Sequence, residues 1–197
     1  MSAFAIRLLS PDTWPAFAAL AEAHNGVWGG CWCMGFHAKG PGWGVSAGMN
    51  RDEKKALVSE GRAHAALVFE DAACVGWCQY GPPAELPRIK NRRAYLAGDP
   101  VPADWRITCF FVGRTHRGRG VASAALDGAL DAIAEAGGGQ VEAFPEDTDG
   151  RKVSGAFLFN GALGMFEARG FARIRPLGKH KWLVARTLAP ARARAAR

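Results

Sequence analysis

Alternating apolar and polar positions divide the chain into short elements. Residues 4–9 read as a first strand, and Ser10-Pro11-Asp12 as the entry to a helix running to about His24, with Phe17 and Leu20 inward. Pro15 is tolerated there because it lies near the first turn. Asn50-x-x-Glu53 predicts a capping box opening a charged helix that ends about Gly61. Two β-rich runs, 65–70 and 74–80, flank Asp71-Ala72-Ala73 and predict an antiparallel hairpin, ended by Gly81-Pro82-Pro83. A basic, proline-rich connection follows, with Arg88, Lys90, Arg92 and Arg93; it reads as a solvated loop or as a contact to an anionic ligand. Residues 107–112 are an unbroken run of β-formers, the pattern of a central strand covered on both faces. Ala122, Leu126, Leu130 and Ile133 then recur at helical spacing until Gly137-Gly138-Gly139 stops them. Residues 140–144 predict another strand, 145–150 an acidic loop, and 160–169 a helix stopped by Gly170. Phe171 begins the next strand and 181–188 form the last, with no internal repeat.

The densest pattern lies between the central strand and its helix, at Arg117-Gly118-Arg119-Gly120. A helix start has free N–H groups and a partial positive charge, and glycines let a ligand approach that backbone closely. With two arginines added, the loop suits phosphate, most simply a pyrophosphate. A nucleotide P-loop would need a lysine after Gly120, and none follows. A dinucleotide fingerprint would need its third glycine where Ser123 stands and a shorter turn after Val112.

The spacing Val112-x4-Arg117-Gly118-Arg119-Gly120-Val121-Ala122 resembles the acyl-CoA loop of the GNAT superfamily of N-acetyltransferases, R/Q-x-x-G-x-G/A. FNGALGMFEARGF, residues 159–171, resembles that family's N-x-x-A-x-x-x-Y-x-x-x-G-F, with the asparagine one place late at Asn160 and Phe166 at the usual tyrosine. The resemblance implies an α/β (α+β) fold: a mixed, mostly antiparallel twisted sheet flanked by helices, whose splayed central strands form the acyl-CoA cleft. It would occupy 1–188 as a single domain, followed by a disordered basic tail, 189–197.

The implied reaction is direct transfer of an acetyl group from acetyl-CoA to a primary amine. Arg117, Gly118, Arg119, Gly120, Val121 and Ala122 would grip the pyrophosphate. Phe110, Phe111 and Val112 would pair with the pantetheine arm and polarise the thioester carbonyl through a backbone N–H. Asn160 and Phe166 are also implied at the cofactor, although Phe166 has no hydroxyl to protonate the leaving thiolate; solvent or Ser154 would serve instead. For the base that removes the ammonium proton, Glu142 on the strand beside the cleft is the candidate, with Glu146 and Asp147 just beyond it. The competing reading of Glu142 is a structural acid paired with an arginine. Alternatives to a small-molecule acceptor are a tRNA-borne or protein amine, or a non-catalytic acyl-CoA sensor.

Residues 25–49 hold eight glycines and three tryptophans, so something must hold the loop down. It reads as a packed aromatic loop or as a lid over an acceptor pocket lined by Trp28, Trp32, Phe36 and Trp43. Cys31-x-Cys33 lacks the second half of a zinc site, so no metal is expected. The five cysteines are an odd number and are expected as free thiols, Cys109 as packing. A net charge of +7 falls to +4 without Arg192, Arg194 and Arg197 (7 − 3), which suits an anionic cosubstrate. The basic residues form no single run, so nucleic acid is not an expected partner. No apolar stretch reaches membrane length and the start lacks a signal-peptide pattern, so a cytoplasmic protein is expected, as a possible homodimer by resemblance.

Overall fold

The computed structural model describes residues 4–38, 46–99 and 101–191. Seven strands form one sheet: β1 (Ala5–Leu8), β2 (His64–Glu70), β3 (Ala73–Gly81), β4 (Trp105–Val112), β5 (Gly139–Ala143), β6 (Ala172–Pro176) and β7 (Trp182–Leu188). Their order is β1-β2-β3-β4-β5-β7-β6, and only β4 and β5 run parallel. The helices are α1 (Trp14–Glu22), α2 (Ala47–Ser59), α3 (Arg92–Leu96), α4 (Val121–Glu135) and α5 (Leu163–Glu167). Among the described residues no helix is long and apolar enough to cross a membrane.

Period-two alternation explains why the sheet is covered on both faces. On β2, Ala65, Leu67 and Phe69 join the core beneath α1 and α2, whereas Ala66 and Val68 join the core beneath α4 and α5. On β4 the alternation breaks. Ile107 and Phe110 enter the α4 core, while Cys109 and Phe111 enter the α1 core. The register explains the break: Tyr80 of β3 faces Ile107 and the adjacent Gln79 faces Cys109, so Thr108 bulges out of the pairing.

Three expectations are corrected. Helix α2 starts earlier than Asn50-x-x-Glu53 suggested: Ser46 Oγ accepts from Met49 N, and Asn50 lies inside the helix, donating from Nδ2 to the Gly30 carbonyl at 2.9 Å. The basic connection read as a loop contains the short helix α3. Of the tail, residues 189–191 are ordered enough for Ala191 N to donate to the Ala134 carbonyl; the rest, like Trp43, lies outside the described residues.

The aromatic loop is largely core. Trp32 is buried against Trp14 and Phe17, with ring centroids 6.1 and 6.3 Å away, so it walls no acceptor pocket. Asn25, Val27, Trp28, Trp32 and Cys33 all take left-handed backbone, a strained conformation that the surrounding packing must impose. All five cysteines are free and buried; Cys33 Sγ lies 3.1 Å from Cys109 Sγ and accepts the indole N–H of Trp77.

A buried polar chain fastens this loop to the sheet. Lys54 of α2 is fully buried and donates to His37 Nε2 at 3.1 Å and to Gln79 Oε1 at 2.9 Å; Gln79 in turn donates to Thr108 Oγ1. Burial lowers the Lys54 amine to about 8. Burial, then the Lys54 charge, pushes the His37 imidazole down to about 2 from 6.5. The folded protein therefore refuses a proton that the unfolded chain accepts below pH 6.5, and stability is lost as pH falls through that window. Each pH unit below it should cost about 1.4 kcal/mol through His37. Urea unfolding between pH 7 and 5 should show a shallower pH dependence in His37→Asn than in wild type; parallel curves would refute the linkage.

Candidate active site

The cleft begins where β4 loses its neighbour. Parallel pairing with β5 covers only Trp105–Ile107 against Val141–Ala143, so beyond the Thr108 bulge β4 has no strand on that side. The gap is wedged open by the segment after a 3₁₀ turn, Gly155–Asn160. Asn160 Nδ2 donates to the Thr108 carbonyl of β4 at 2.5 Å, and Lys181 Nζ donates to Asn160 Oδ1 at 2.9 Å. On the β5 side, Glu146 N donates to the Gly161 carbonyl and Leu163 N to the Glu146 carbonyl, at 2.9 and 2.8 Å. One side chain and two backbone bonds thus hold the two strands apart.

Between them lies a cleft of about 460 Å³ with Phe110, Phe111 and Val112 on one wall, Gly155 and Leu158 opposite, and Trp28 over it. Its far end is the glycine loop and the start of α4: His116, Arg117, Gly118, Gly120, Val121, Ala122 and Ser123. Gly118 and Gly120 have φ of +74° and +84°, a region costly for other residues, and a Cβ on either would meet nothing within 4 Å. The space above them is thus open to a ligand. Among the described residues no side chain caps α4, and the N–H groups of Val121, Ala122 and Ser123, in its first turn, have no intrahelical acceptors. Gly76 of β3 brings this helix start close: a Cβ there would lie 2.6 Å from Val121 Cγ1. Arg117 stands exposed beside the loop, its Nε 3.4 Å from the Val112 carbonyl. A strand edge for an extended amide-bearing arm, leading to a cationic helix end for a pyrophosphate, fits acyl-CoA.

The indole N–H of Trp28 is buried beside this cleft and has no hydrogen-bond partner among the described residues. An unmade bond at a buried donor costs about 1–3 kcal/mol, so a ligand acceptor would be favoured there.

Several expected site residues stand elsewhere. Arg119 turns from the cleft to Glu70, with Nη1 and Nη2 at 3.1 and 2.5 Å from its two oxygens, and this pairing holds the Glu70 carboxyl below its usual range. Asn160 is a strut behind the cleft. Phe166 is fully buried, edge-on to Phe110 and Phe171 at 6.0 and 5.2 Å, so it supports the wall and reaches no ligand. Ser154 is exposed and outside the lining.

Glu142 is the main correction. Its carboxylate is fully buried under Arg106, whose Nε and Nη2 lie 2.7 and 2.6 Å from Oε1, and Tyr95 donates to Oε2 at 3.0 Å. Burial, then Glu142, raises the Tyr95 phenol, keeping it a donor. A carboxylate so held has no path to a substrate proton. Glu146 is also committed, at 3.5 Å to Lys181 and 3.4 Å to Arg151. Asp147 accepts from Asp149 N and Trp182 Nε1, and the Asp149 bond foremost lowers its pKa. The sequence reading missed His116, Ser123, Gly155 and Leu158; Ser123 stood in the loop motif itself.

A second pocket of about 270 Å³ is lined by Gly35, Phe36, Arg88, Ile89, Lys90 and Phe159. Phe36 therefore faces this pocket and not the cleft. Phe159 packs on Phe36 at 6.3 Å and edge-on against Trp28 at 6.4 Å, so one phenyl ring stands between the second pocket and the cleft residue Trp28. Among the described residues no group of three His, Cys, Asp or Glu could hold a metal ion.

The family model described as the acetyltransferase (GNAT) family matches residues 36–153. No curated protein sequence matches the chain. Many solved structures share the fold. The ribosomal-protein-S18-alanine N-acetyltransferase of Escherichia coli is 10% identical, with TM-score 0.51 over 98% of this chain and 99% of that one. The mosquito arylalkylamine N-acetyltransferase-like 5b is also 10% identical, with TM-score 0.55 over 94% and 100%. Salmonella typhimurium yncA, solved with its cofactor acetyl-CoA, is 13% identical, with TM-score 0.51 over 98% and 97%.

If the wedge holds the cleft, Asn160→Leu should leave the Thr108 carbonyl and the Lys181 ammonium short of a partner. We expect a loss of about 3 kcal/mol in chemical denaturation. A loss below about 1 kcal/mol would mean that Asn160 holds nothing open.

Proposed function

We propose that this chain, which belongs to the acetyltransferase (GNAT) family and is a GNAT-type N-acetyltransferase, moves an acetyl group from acetyl-CoA to the amine of a small acceptor by direct attack in a ternary complex. The observation that carries the reading is a single cleft joining an unpaired length of β4 to the uncapped start of α4. Acetyl-CoA supplies an activated thioester, whose C–S bond breaks as the N–C bond forms. Backbone groups of Phe110 to Val112 align the arm, and the N–H groups of Val121 to Ser123 with Arg117 hold the phosphates. The Trp28 indole N–H, buried beside the cleft and without a partner among the described residues, donates to a carbonyl of the bound acyl chain.

Among the described residues no carboxylate lines the cleft, so the amine proton leaves to water, and the departing thiolate takes its proton from solvent. Phe166 does not argue for a non-catalytic module. Its side chain is core, so its missing hydroxyl takes nothing from the cleft. The relatives' names span a protein amine and an arylalkylamine, so the fold does not select the acceptor. The second pocket, of about 270 Å³, favours a small one.

Thermal unfolding with and without acetyl-CoA, with NAD as control, tests the donor. At about a hundred times its dissociation constant the ligand should add about 2.7 kcal/mol, or about 5–10 °C for a chain of this size. Gly120→Glu, placing a carboxylate in the open space over the loop, should abolish the shift. No shift in wild type, or one with NAD alone, would overturn the assignment.

Trp28→Phe keeps the ring and removes only the N–H. It should weaken acetyl-CoA about fivefold by calorimetry. An unchanged affinity would leave that donor without a role.

A further inference from the structure

The second pocket has an uneven charge. Arg88 and Lys90 rim it, and no carboxylate is among its described lining residues. Lys90 Nζ sits 4.9 Å from the centre of the Phe159 ring, and Lys181 Nζ sits 5.0 Å from the same centre. One phenyl ring therefore carries two ammonium groups. They differ in how they are satisfied. Lys181 is buried and bound by Asn160 and Glu146. Arg88 donates to the Ala38 carbonyl. Lys90 is exposed, and among the described residues it forms no ion pair; neither do Arg92 and Arg93, which continue the strip and line the adjoining groove with it. The repulsion is felt inside the protein: burial first, and Lys90 among the other causes, lowers the Lys181 amine below its usual range. An anion at the mouth of the pocket would relieve it.

We propose that this pocket is the acceptor subsite, and that it takes an amine carrying a carboxylate or phosphate, which Lys90 holds at the mouth while Phe36 and Phe159 wall the carbon skeleton. This rests on the acetyltransferase reading above. It adds the class of acceptor, and it gives the basic segment around Lys90 a role that the donor cleft does not use. The pocket volume suits a compound or group of amino-acid scale.

The test uses matched amines that differ only in the anion: tyrosine against tyramine, and phosphoethanolamine against ethanolamine. Release of CoA thiol is followed at saturating acetyl-CoA, with acetyl-CoA affinity measured separately by calorimetry. In at least one pair the anionic member should have a kcat/KM at least tenfold above its counterpart. Lys90→Glu should lower that ratio at least tenfold, through KM, with the acetyl-CoA dissociation constant held within twofold. A preference for the members lacking the anion overturns the subsite, as does a preference that survives Lys90→Glu. No turnover of any member by protein that binds acetyl-CoA overturns it too. Failure to bind acetyl-CoA would instead overturn the donor reading on which the subsite rests.

Discussion

The site depends on one displaced residue. Thr108 is the bulge in β4, and from it the strand turns away from β5. A bulge alone would leave backbone amides on an open edge, which proteins seldom tolerate beside another strand end. Here the hydroxyl and the carbonyl of the bulged residue are taken up from the two sides of the strand. Gln79 donates to its hydroxyl and Asn160 donates to its carbonyl. The first bond leads back through Gln79 to Lys54 and the aromatic loop, and the second through Lys181 to Glu146 and the end of β5. The splay is thus the junction of two buried polar chains.

Buried charges are costly unless fully partnered, and they specify geometry more than they stabilise. Lys54 illustrates this. A methionine could fill its volume, but it could not bind His37 and Gln79 together, and so could not set the loop against the sheet at one position. The left-handed backbone at Val27 and Trp28 shows the loop being held against its preference. That constraint brings the Trp28 ring over the cleft with its N–H unmade.

Local features were legible in the sequence. The run from Trp105 to Val112, the glycines at 118 and 120 and the apolar spacing of α4 depend on neighbours a few residues apart, and they place the glycine-loop end of the cleft. What could not be read was which partner claims a side chain. Glu142 is fixed by Arg106 from β4 and by Tyr95 from α3, a helix of five residues that reads as loop. Arg119 is fixed by Glu70, forty-nine positions earlier. Trp32 and Trp28 lie four residues apart in one aromatic loop, yet one is core and the other cleft. Charge pairing across strands leaves no periodic trace, so a carboxylate on a cleft strand looks the same whether it is a base or a strut.

The loss of Glu142 as a base changes how the amine must be made nucleophilic. Only the neutral amine attacks, and an acceptor's own carboxylate stabilises its ammonium form. In the proposed subsite, pairing that anion with Lys90 would cancel the stabilisation. Arg88 on the pocket rim would then add its field at the ammonium, whereas the Lys181 charge is met by Glu146. A nearby cation at partly solvated dielectric is worth about 1–2 kcal/mol, roughly one pKa unit towards the neutral amine. In that reading, a subsite rimmed by cations, with no carboxylate among its described lining, would favour the reactive form by its field, where a general base would do so by contact. The same charges that select an anionic acceptor would lower the barrier to its deprotonation, so binding and activation share one physical cause.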